Sequence, residues 1–118
     1  MVRKGISVQR HLSNEYAQLL NLSVPGGNQL AVINCYLPPG NSMRRKRWSE
    51  DAAYDAVSEL VTKVPHHNDL LLCGDLNART GCLMPNLGHE HVADRVSSDS
   101  VTCARGKWLI EQLQTWQL

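Results

Sequence analysis

The sequence has 118 residues, of which 42% are hydrophobic and 19% charged, and its formal net charge is +1. A chain of this length forms at most one globular domain, and no stretch has the apolar length of a membrane span or a signal peptide. We therefore expect an intracellular protein, nuclear or cytoplasmic, with no membrane partner. Because the net charge is close to zero, attraction to nucleic acid would have to come from a local cluster.

The first third of the chain predicts three strands. Residues 6–12 alternate between apolar and polar side chains, which is typical of a strand with one face in solvent. Two apolar runs, residues 17–24 and 29–36, are joined by Pro-Gly-Gly-Asn, and this turn chemistry predicts a β-hairpin. The Pro38-Pro39 pair ends the second run, because proline lacks the N–H that a strand ladder needs. We expect a loop after it.

A helix and a fourth strand follow. Ser49 and two acidic residues are typical of a helix start, and apolar residues then recur every three or four positions until Pro65. Residues 70–73 form an unbroken apolar run, as in a short buried strand that ends in a polar turn. Strand 29–36, helix 49–64 and strand 70–74 therefore predict a right-handed βαβ unit, whose two strands are parallel.

The parallel strands predict a site at the carboxyl edge of the sheet. Asp75 and Asn77 follow one strand and Tyr36 ends the other, while Gly74 removes side-chain bulk and lets another group approach the backbone closely. An acid and an amide at this edge suit activation of a water and orientation of a phosphate or a metal shell. The alternative is an Asx-type turn, in which both side chains bond only to local backbone.

The last third combines a polar segment with a final helix. Residues 82–104 lack periodicity, and Leu109, Ile110, Leu113 and Trp116 then predict an amphipathic helix to the end of the chain. The four cysteines show no C-x-x-C spacing, so we expect them to be reduced. A zinc set is the weaker interpretation because its spacing matches no common finger; its members would be Cys82, His89, His91 and Cys103.

Two motifs resemble the endonuclease/exonuclease/phosphatase superfamily. QLAVINCYLPP, followed by a helix and by DLLLCGDLNARTG, matches its Asn-x-Tyr-x-Pro and Gly-Asp-x-Asn signatures. Residues 104–109 are similar to the Asn-x-x-Gly-x-x-Leu of non-LTR retrotransposon endonuclease domains, except that the asparagine is missing. The resemblance implies an α/β fold, namely a four-layer α/β/β/α sandwich of which residues 1–118 are the central part. The residue pattern agrees, because it predicts strands buried on both faces but only two helices to cover them.

The resemblance also implies an activity, magnesium-dependent cleavage of phosphodiester bonds in DNA. Asp75 matches the aspartate that orients or deprotonates the attacking water, Asn77 the asparagine that contacts phosphate, and Tyr36 the tyrosine near the scissile phosphate. The family's glutamate, its principal magnesium ligand, and its closing Ser-Asp-His have no counterpart in residues 1–118. The metal ligands therefore stay unidentified, and we expect weak or no activity from this chain alone.

One further group of residues could contact a nucleic acid. Arg44, Arg45, Lys46 and Arg47, called the basic cluster below, are candidate phosphate contacts, although a solvated basic run is the simpler interpretation. The three tryptophans are most simply helix-packing residues, but an exposed one could stack on a base. Three other functional hypotheses stay open: a non-catalytic module that binds nucleic acid or protein, a phosphatase of small phosphorylated molecules, and a retroelement remnant without its own function.

Overall fold

The computed structural model describes residues 5–83 and 98–116 of the chain. Their order is β1 (Ser7–Ser13), β2 (Ala17–Ser23), β3 (Gln29–Tyr36), α1 (Gly40–Arg45), α2 (Glu50–Thr62), β4 (Asp69–Asp75) and α3 (Ala104–Thr115). The chain divides into two compact units, Met1–Leu76 and Asn77–Leu118. The predicted α/β class is confirmed. Among the described residues, no helix is long and apolar enough to cross a membrane.

The four strands form one sheet in the order β1-β2-β3-β4. The predicted hairpin is confirmed, since β2 pairs antiparallel with β3 and its turn contains Gly26 and Gly27 at φ values of 94° and 83°. The predicted βαβ unit is also confirmed, because β4 pairs parallel with β3. The sheet thus changes from antiparallel to parallel pairing at β3, whose carboxyl end lies beside that of β4.

Helix α2 covers one face of this sheet by packing on β2 and β3. It begins as predicted, because the Ser49 Oγ accepts a hydrogen bond from the Ala52 N–H at 3.1 Å, and it ends two residues earlier than predicted. Asn14 ties the turn before β2 to this helix by donating to the Ala56 carbonyl at 2.7 Å. The side chains buried in this layer are Ala17, Leu19, Ala31, Ile33, Cys35, Ala53, Val57 and Leu60.

The opposite face of the sheet, called the open face below, is only partly covered within the described residues. Asn34 and Tyr36 are exposed on it, and Leu71 of β4 and Val8 of β1 keep 50% and 47% of their surface exposed. This exposed face agrees with the expectation that the helices of the chain leave the sheet under-covered, because α2 packs against the other face. In β1 only Leu12 is even partly buried, and this strand lies at the edge of the sheet.

The expected loop after β3 is wrong, because residues 40–45 form the short helix α1. The Pro39 carbonyl accepts hydrogen bonds from the N–H groups of Ser42 and Met43 at 2.8 and 3.1 Å. The Met43 side chain is completely buried and so anchors this turn to the core of the first unit. One buried side chain in six residues is too short a signal for a periodicity argument to detect.

The second unit places α3 against the segment that begins at Asn77. An antiparallel bridge joins Thr80 to Thr102, and the Cys103 N–H donates to the Arg79 carbonyl at 2.9 Å. Helix α3 starts one residue before the predicted position and runs to Thr115. The rings of Trp108 and Trp116 meet edge to face with centroids 6.2 Å apart, as expected for helix-packing residues.

Candidate functional site

Tyr36 and Asp75 are direct neighbours at the carboxyl edge of the sheet. They are register partners in the parallel β3–β4 ladder, and the Leu37 N–H donates to the Asp75 carbonyl at 2.9 Å one position further on. Both side chains are exposed, with 57% of the Tyr36 surface open to solvent. A phenol and a carboxylate therefore stand side by side, where a ligand can reach both.

Gly74 fixes where the Asp75 carboxylate is presented. Its φ is +117°, and a Cβ placed on it would lie 2.0 Å from the Cys35 carbonyl oxygen and 2.9 Å from the Asn34 Oδ1. Only glycine accommodates so close an approach at this backbone conformation. The predicted close approach is confirmed, and the structure identifies the approaching group as the backbone of β3.

Asn77 has a backbone reason to be an asparagine. It opens the second unit, is exposed and has a φ of 46°, in the left-handed region that asparagine tolerates better than most residues. This conformation agrees with the turn interpretation of the Gly-Asp-x-Asn stretch. The left-handed backbone alone is therefore a reason for asparagine at position 77, and a catalytic role of its side-chain amide needs a separate test.

The basic cluster projects from α1 and the turn after it. All four side chains are exposed; Arg44 and Arg45 occupy the last turn of the helix, and Lys46 is its C-cap residue. Arg47 has a φ of 54°, which redirects the chain towards α2. Arg44 donates to the side-chain oxygen of Asn41. The cluster is thus held on a helix end, where the sequence predicted a loop.

The described residues do not complete a magnesium site. Magnesium takes near-octahedral oxygen ligands, whereas Asp75 supplies a single carboxylate at the β3–β4 edge. Across residues 5–83 and 98–116, no group of three or more His, Cys, Asp or Glu side chains could hold a metal ion. Of the weaker zinc set, His89 and His91 lie outside the described residues.

Cys103 has a structural role that the sequence did not reveal. It is the N-cap residue of α3, and its Sγ accepts hydrogen bonds from the N–H groups of Arg79 at 3.2 Å and Gly106 at 3.4 Å. Asparagine is a preferred residue at this position, and the Asn-x-x-Gly-x-x-Leu pattern would place one here. Cys103 therefore supplies with sulfur the acceptor that an asparagine at an N-cap supplies with oxygen.

The same contacts change the acidity of this thiol. Partial burial acts to raise the pKa of Cys103, but hydrogen bonds from the N–H groups of Arg79, Gly106 and Arg105, with the charge of Arg105, lower it further than burial raises it. Burial, reinforced by the neighbouring Cys73, raises the pKa of Cys35 to about 12. The two thiols should therefore differ widely in reactivity.

We expect iodoacetamide to alkylate Cys103 far faster than Cys35 near pH 7.5, because the thiolate is the reacting form. The alkylation rate of Cys103 should reach half its plateau at a lower pH in the folded protein than in urea. Site-resolved mass spectrometry measures both rates. A folded-state midpoint at or above the unfolded one would contradict the assigned hydrogen bonds.

A second contact missed from the sequence joins Arg79 to Asp99. The guanidinium donates two hydrogen bonds to the carboxylate, at 2.9 and 2.8 Å, and Asp99 also accepts from the Val101 N–H. These bonds lower the pKa of Asp99, so the pair favours folding above the unfolded pKa and loses its effect as the pH falls through the folded value. The pair is exposed, so its contribution is small. Twenty residues separate the partners, and no local pattern links them.

No family model, curated protein or solved structure matches this chain. A functional assignment therefore depends on the chemistry of the β3–β4 edge and on the motif resemblance.

Proposed function

We propose that this chain is the central part of a magnesium-dependent, endonuclease-type phosphodiesterase domain that acts on DNA. The observation that carries the proposal is the pairing of Tyr36 with Asp75 at the exposed carboxyl edge of β3 and β4. Ligands of open α/β sheets bind at this edge. Phosphodiester hydrolysis requires a hydrogen-bond donor and a proton acceptor. In this proposal the Tyr36 hydroxyl is the donor and the Asp75 carboxylate is the acceptor.

Each residue of the edge has a distinct chemical task in this proposal. The Asp75 carboxylate orients the attacking water and takes its proton, a contribution of about a hundred- to ten-thousand-fold for a positioned base. The Tyr36 hydroxyl donates to a phosphate oxygen without adding negative charge. The Asn77 amide contacts the phosphate in the same way. Magnesium bound in the complete domain would stabilise negative charge on the reacting phosphate.

The open face supports the finer proposal of a four-layer sandwich. Helix α2 and the sheet supply two layers, and Leu71 and Val8 keep about half of their surface exposed on the other side of the sheet. Apolar side chains on the uncovered face of a sheet are the usual inner surface of a sheet-on-sheet packing. We propose that a second sheet and its helices cover this face in the complete domain.

The proposal predicts a large and site-specific loss of activity for Asp75→Asn. With magnesium and supercoiled plasmid, the full encoded protein should nick DNA, and the variant should do so about a hundred- to ten-thousand-fold more slowly. Asp69→Asn is the matched control, because it makes the same charge change at the exposed amino end of the same strand. Asn77→Gly keeps the left-handed backbone while removing the amide, so it should lower nicking.

Equal nicking rates for Asp75→Asn, Asp69→Asn and the parent protein would overturn the assignment of the active site. Absence of magnesium-dependent nicking by the parent protein would overturn the nuclease proposal and leave nucleic-acid binding as the candidate.

A non-catalytic nucleic-acid-binding module is the second candidate, and the exposed basic cluster favours it. No carboxylate of the described residues pairs with these four side chains, so their charge is available to phosphates. Each phosphate contact on duplex DNA contributes about 0.9 to the slope of log K against log salt. Changing all four residues to glutamine should therefore flatten the slope by up to about 3–4 units.

Fluorescence anisotropy with a labelled duplex between 50 and 300 mM salt measures this slope. Lys63→Gln is the matched control, because Lys63 is an exposed lysine already paired with Glu59 at 2.5 Å. An unchanged slope in the fourfold variant would exclude the basic cluster as the phosphate contact. Binding without any salt dependence would favour a small phosphorylated substrate. Magnesium-independent binding that survives Asp75→Ala is the mark of the non-catalytic module.

A further inference from the structure

We propose that Trp48, at the end of the basic cluster, is a stacking platform for an unpaired base, so that this corner binds single-stranded or locally opened DNA. The inference deepens the proposed function and rests on its nucleic-acid substrate, but not on catalysis. It follows from three properties of Trp48: its exposed ring, its rigid support and the charge beside it.

The ring of Trp48 is accessible and its face attracts cations. The residue keeps 39% of its surface exposed, and the Lys46 ammonium lies 4.5 Å from the ring centroid. A cation–π contact at this distance shows that one face of the ring is not packed against the core. Trp48 therefore differs from Trp108 and Trp116, whose rings pack on each other.

The backbone of Trp48 is held firmly between two helices. Its N–H donates to the carbonyl of the buried Met43 at 2.9 Å, and Ser49, the next residue, caps α2. The left-handed conformation of Arg47 sets the direction in which the chain enters this position. An exposed aromatic side chain on a fixed backbone loses little conformational freedom when a base stacks on it.

Positive charge precedes Trp48 directly in the chain. The four residues that precede Trp48 are all basic and exposed. Proteins that bind single-stranded nucleic acid combine such a charged track, which follows the backbone, with aromatic side chains that stack on bases. Duplex DNA offers phosphates to the charges but keeps its bases stacked inside, so only an unpaired base can use the ring.

Lys46 has to leave the ring face for a base to stack there. An exposed cation–π contact is worth roughly a 2- to 5-fold factor in an equilibrium constant. Stacking of one base on an aromatic side chain is worth roughly 5- to 150-fold. Exchange of the ammonium for a base is therefore favourable, and the released ammonium stays close enough to the bound strand to meet a phosphate.

The test uses the full protein in EDTA, with a ten-nucleotide oligothymidine and a ten-base-pair duplex as probes. In the background Trp108→Phe/Trp116→Phe, Trp48 is the sole tryptophan of residues 1–118, and the oligothymidine should quench its fluorescence. Trp48→Leu should weaken oligothymidine binding between severalfold and roughly 50-fold, the stacking factor less that of the displaced ammonium, while changing duplex affinity less than 2-fold. Trp48→Tyr should retain most of the affinity, and Trp116→Leu serves as the matched control for loss of a tryptophan.

Absence of quenching at saturation, or equal oligothymidine affinity for the parent protein and Trp48→Leu, would overturn the inference. Equal losses for oligothymidine and duplex would overturn it too, because they would mean a general charge or folding effect. These results are independent of nicking by the Asp75 edge, since EDTA removes the metal. Stacking without nicking would leave this inference standing while the nuclease proposal fails, and nicking without stacking would do the reverse.

Discussion

Gly74→Ala is expected to lower the free energy of unfolding of the first unit substantially. The added Cβ would lie 2.0 Å from the carbonyl oxygen and 2.7 Å from the nitrogen of Cys35, well inside the distance at which atoms can coexist. Both atoms belong to β3, whose parallel ladder with β4 would have to break to make room. We expect a loss of about 4 kcal/mol or more, a large share of the roughly 5–15 kcal/mol that stabilises a typical domain.

Gly26→Ala separates the two causes of this loss, which are overlap of the added Cβ with β3 and strain of a left-handed backbone. Gly26 has a similar φ of 94°, but a Cβ placed on it meets nothing within 4 Å. This control therefore carries only the strain of a left-handed backbone, about 1–2 kcal/mol. Urea unfolding followed by circular dichroism measures both variants. A loss for Gly74→Ala no greater than that for Gly26→Ala would show that β3 and β4 do not approach as closely as assigned.

Gly106→Ala is expected to destabilise the second unit, whereas replacing glycine by alanine in a helix usually stabilises it. Alanine in a helix interior normally favours folding over glycine by about 1 kcal/mol. Here the added Cβ would lie 2.0 Å from the Arg79 carbonyl oxygen and 2.6 Å from its carbon, so α3 would have to separate from that segment. The same carbonyl accepts the hydrogen bond from the Cys103 N–H, so the cap of α3 would be disturbed as well. We expect a net loss of about 3 kcal/mol or more.

Gly40→Ala, in α1, provides the comparison for a helical glycine with room around it. The nearest atom to its added Cβ is the Glu50 Oε1 at 3.3 Å, at the end of a side chain that can rotate away. Its effect should stay within about 0.5 kcal/mol. Near-UV circular dichroism of the Trp108–Trp116 pair reports unfolding of the second unit. Stabilisation by Gly106→Ala would contradict the close contact between α3 and Arg79.

Much of the candidate site could be predicted from local patterns. The apolar runs, the turn glycines and the acidic helix start specify the hairpin, α2 and β4, and the handedness of βαβ units then brings Tyr36 towards Asp75. The close approach at Gly74 was also predicted, because glycine at a strand end has few other uses. The proposed roles of these residues in phosphodiester hydrolysis remain predictions, since the chemistry of an edge does not by itself identify a substrate.

The sequence alone determined the elements whose information is contained within a few consecutive residues, namely β2, β3, α2, β4 and most of α3. Only the tertiary structure decided the features whose partners are distant along the chain. The register of the β3–β4 ladder places Gly74 beside Cys35. Burial of Met43 stabilises a short helix where a loop was expected. The contacts of Arg79 with Cys103 and Gly106 hold the start of α3. The physical reason is the same in each case. Steric exclusion and hydrogen bonding depend on which atoms meet in space, and no local sequence pattern indicates a contact between residues more than twenty positions apart.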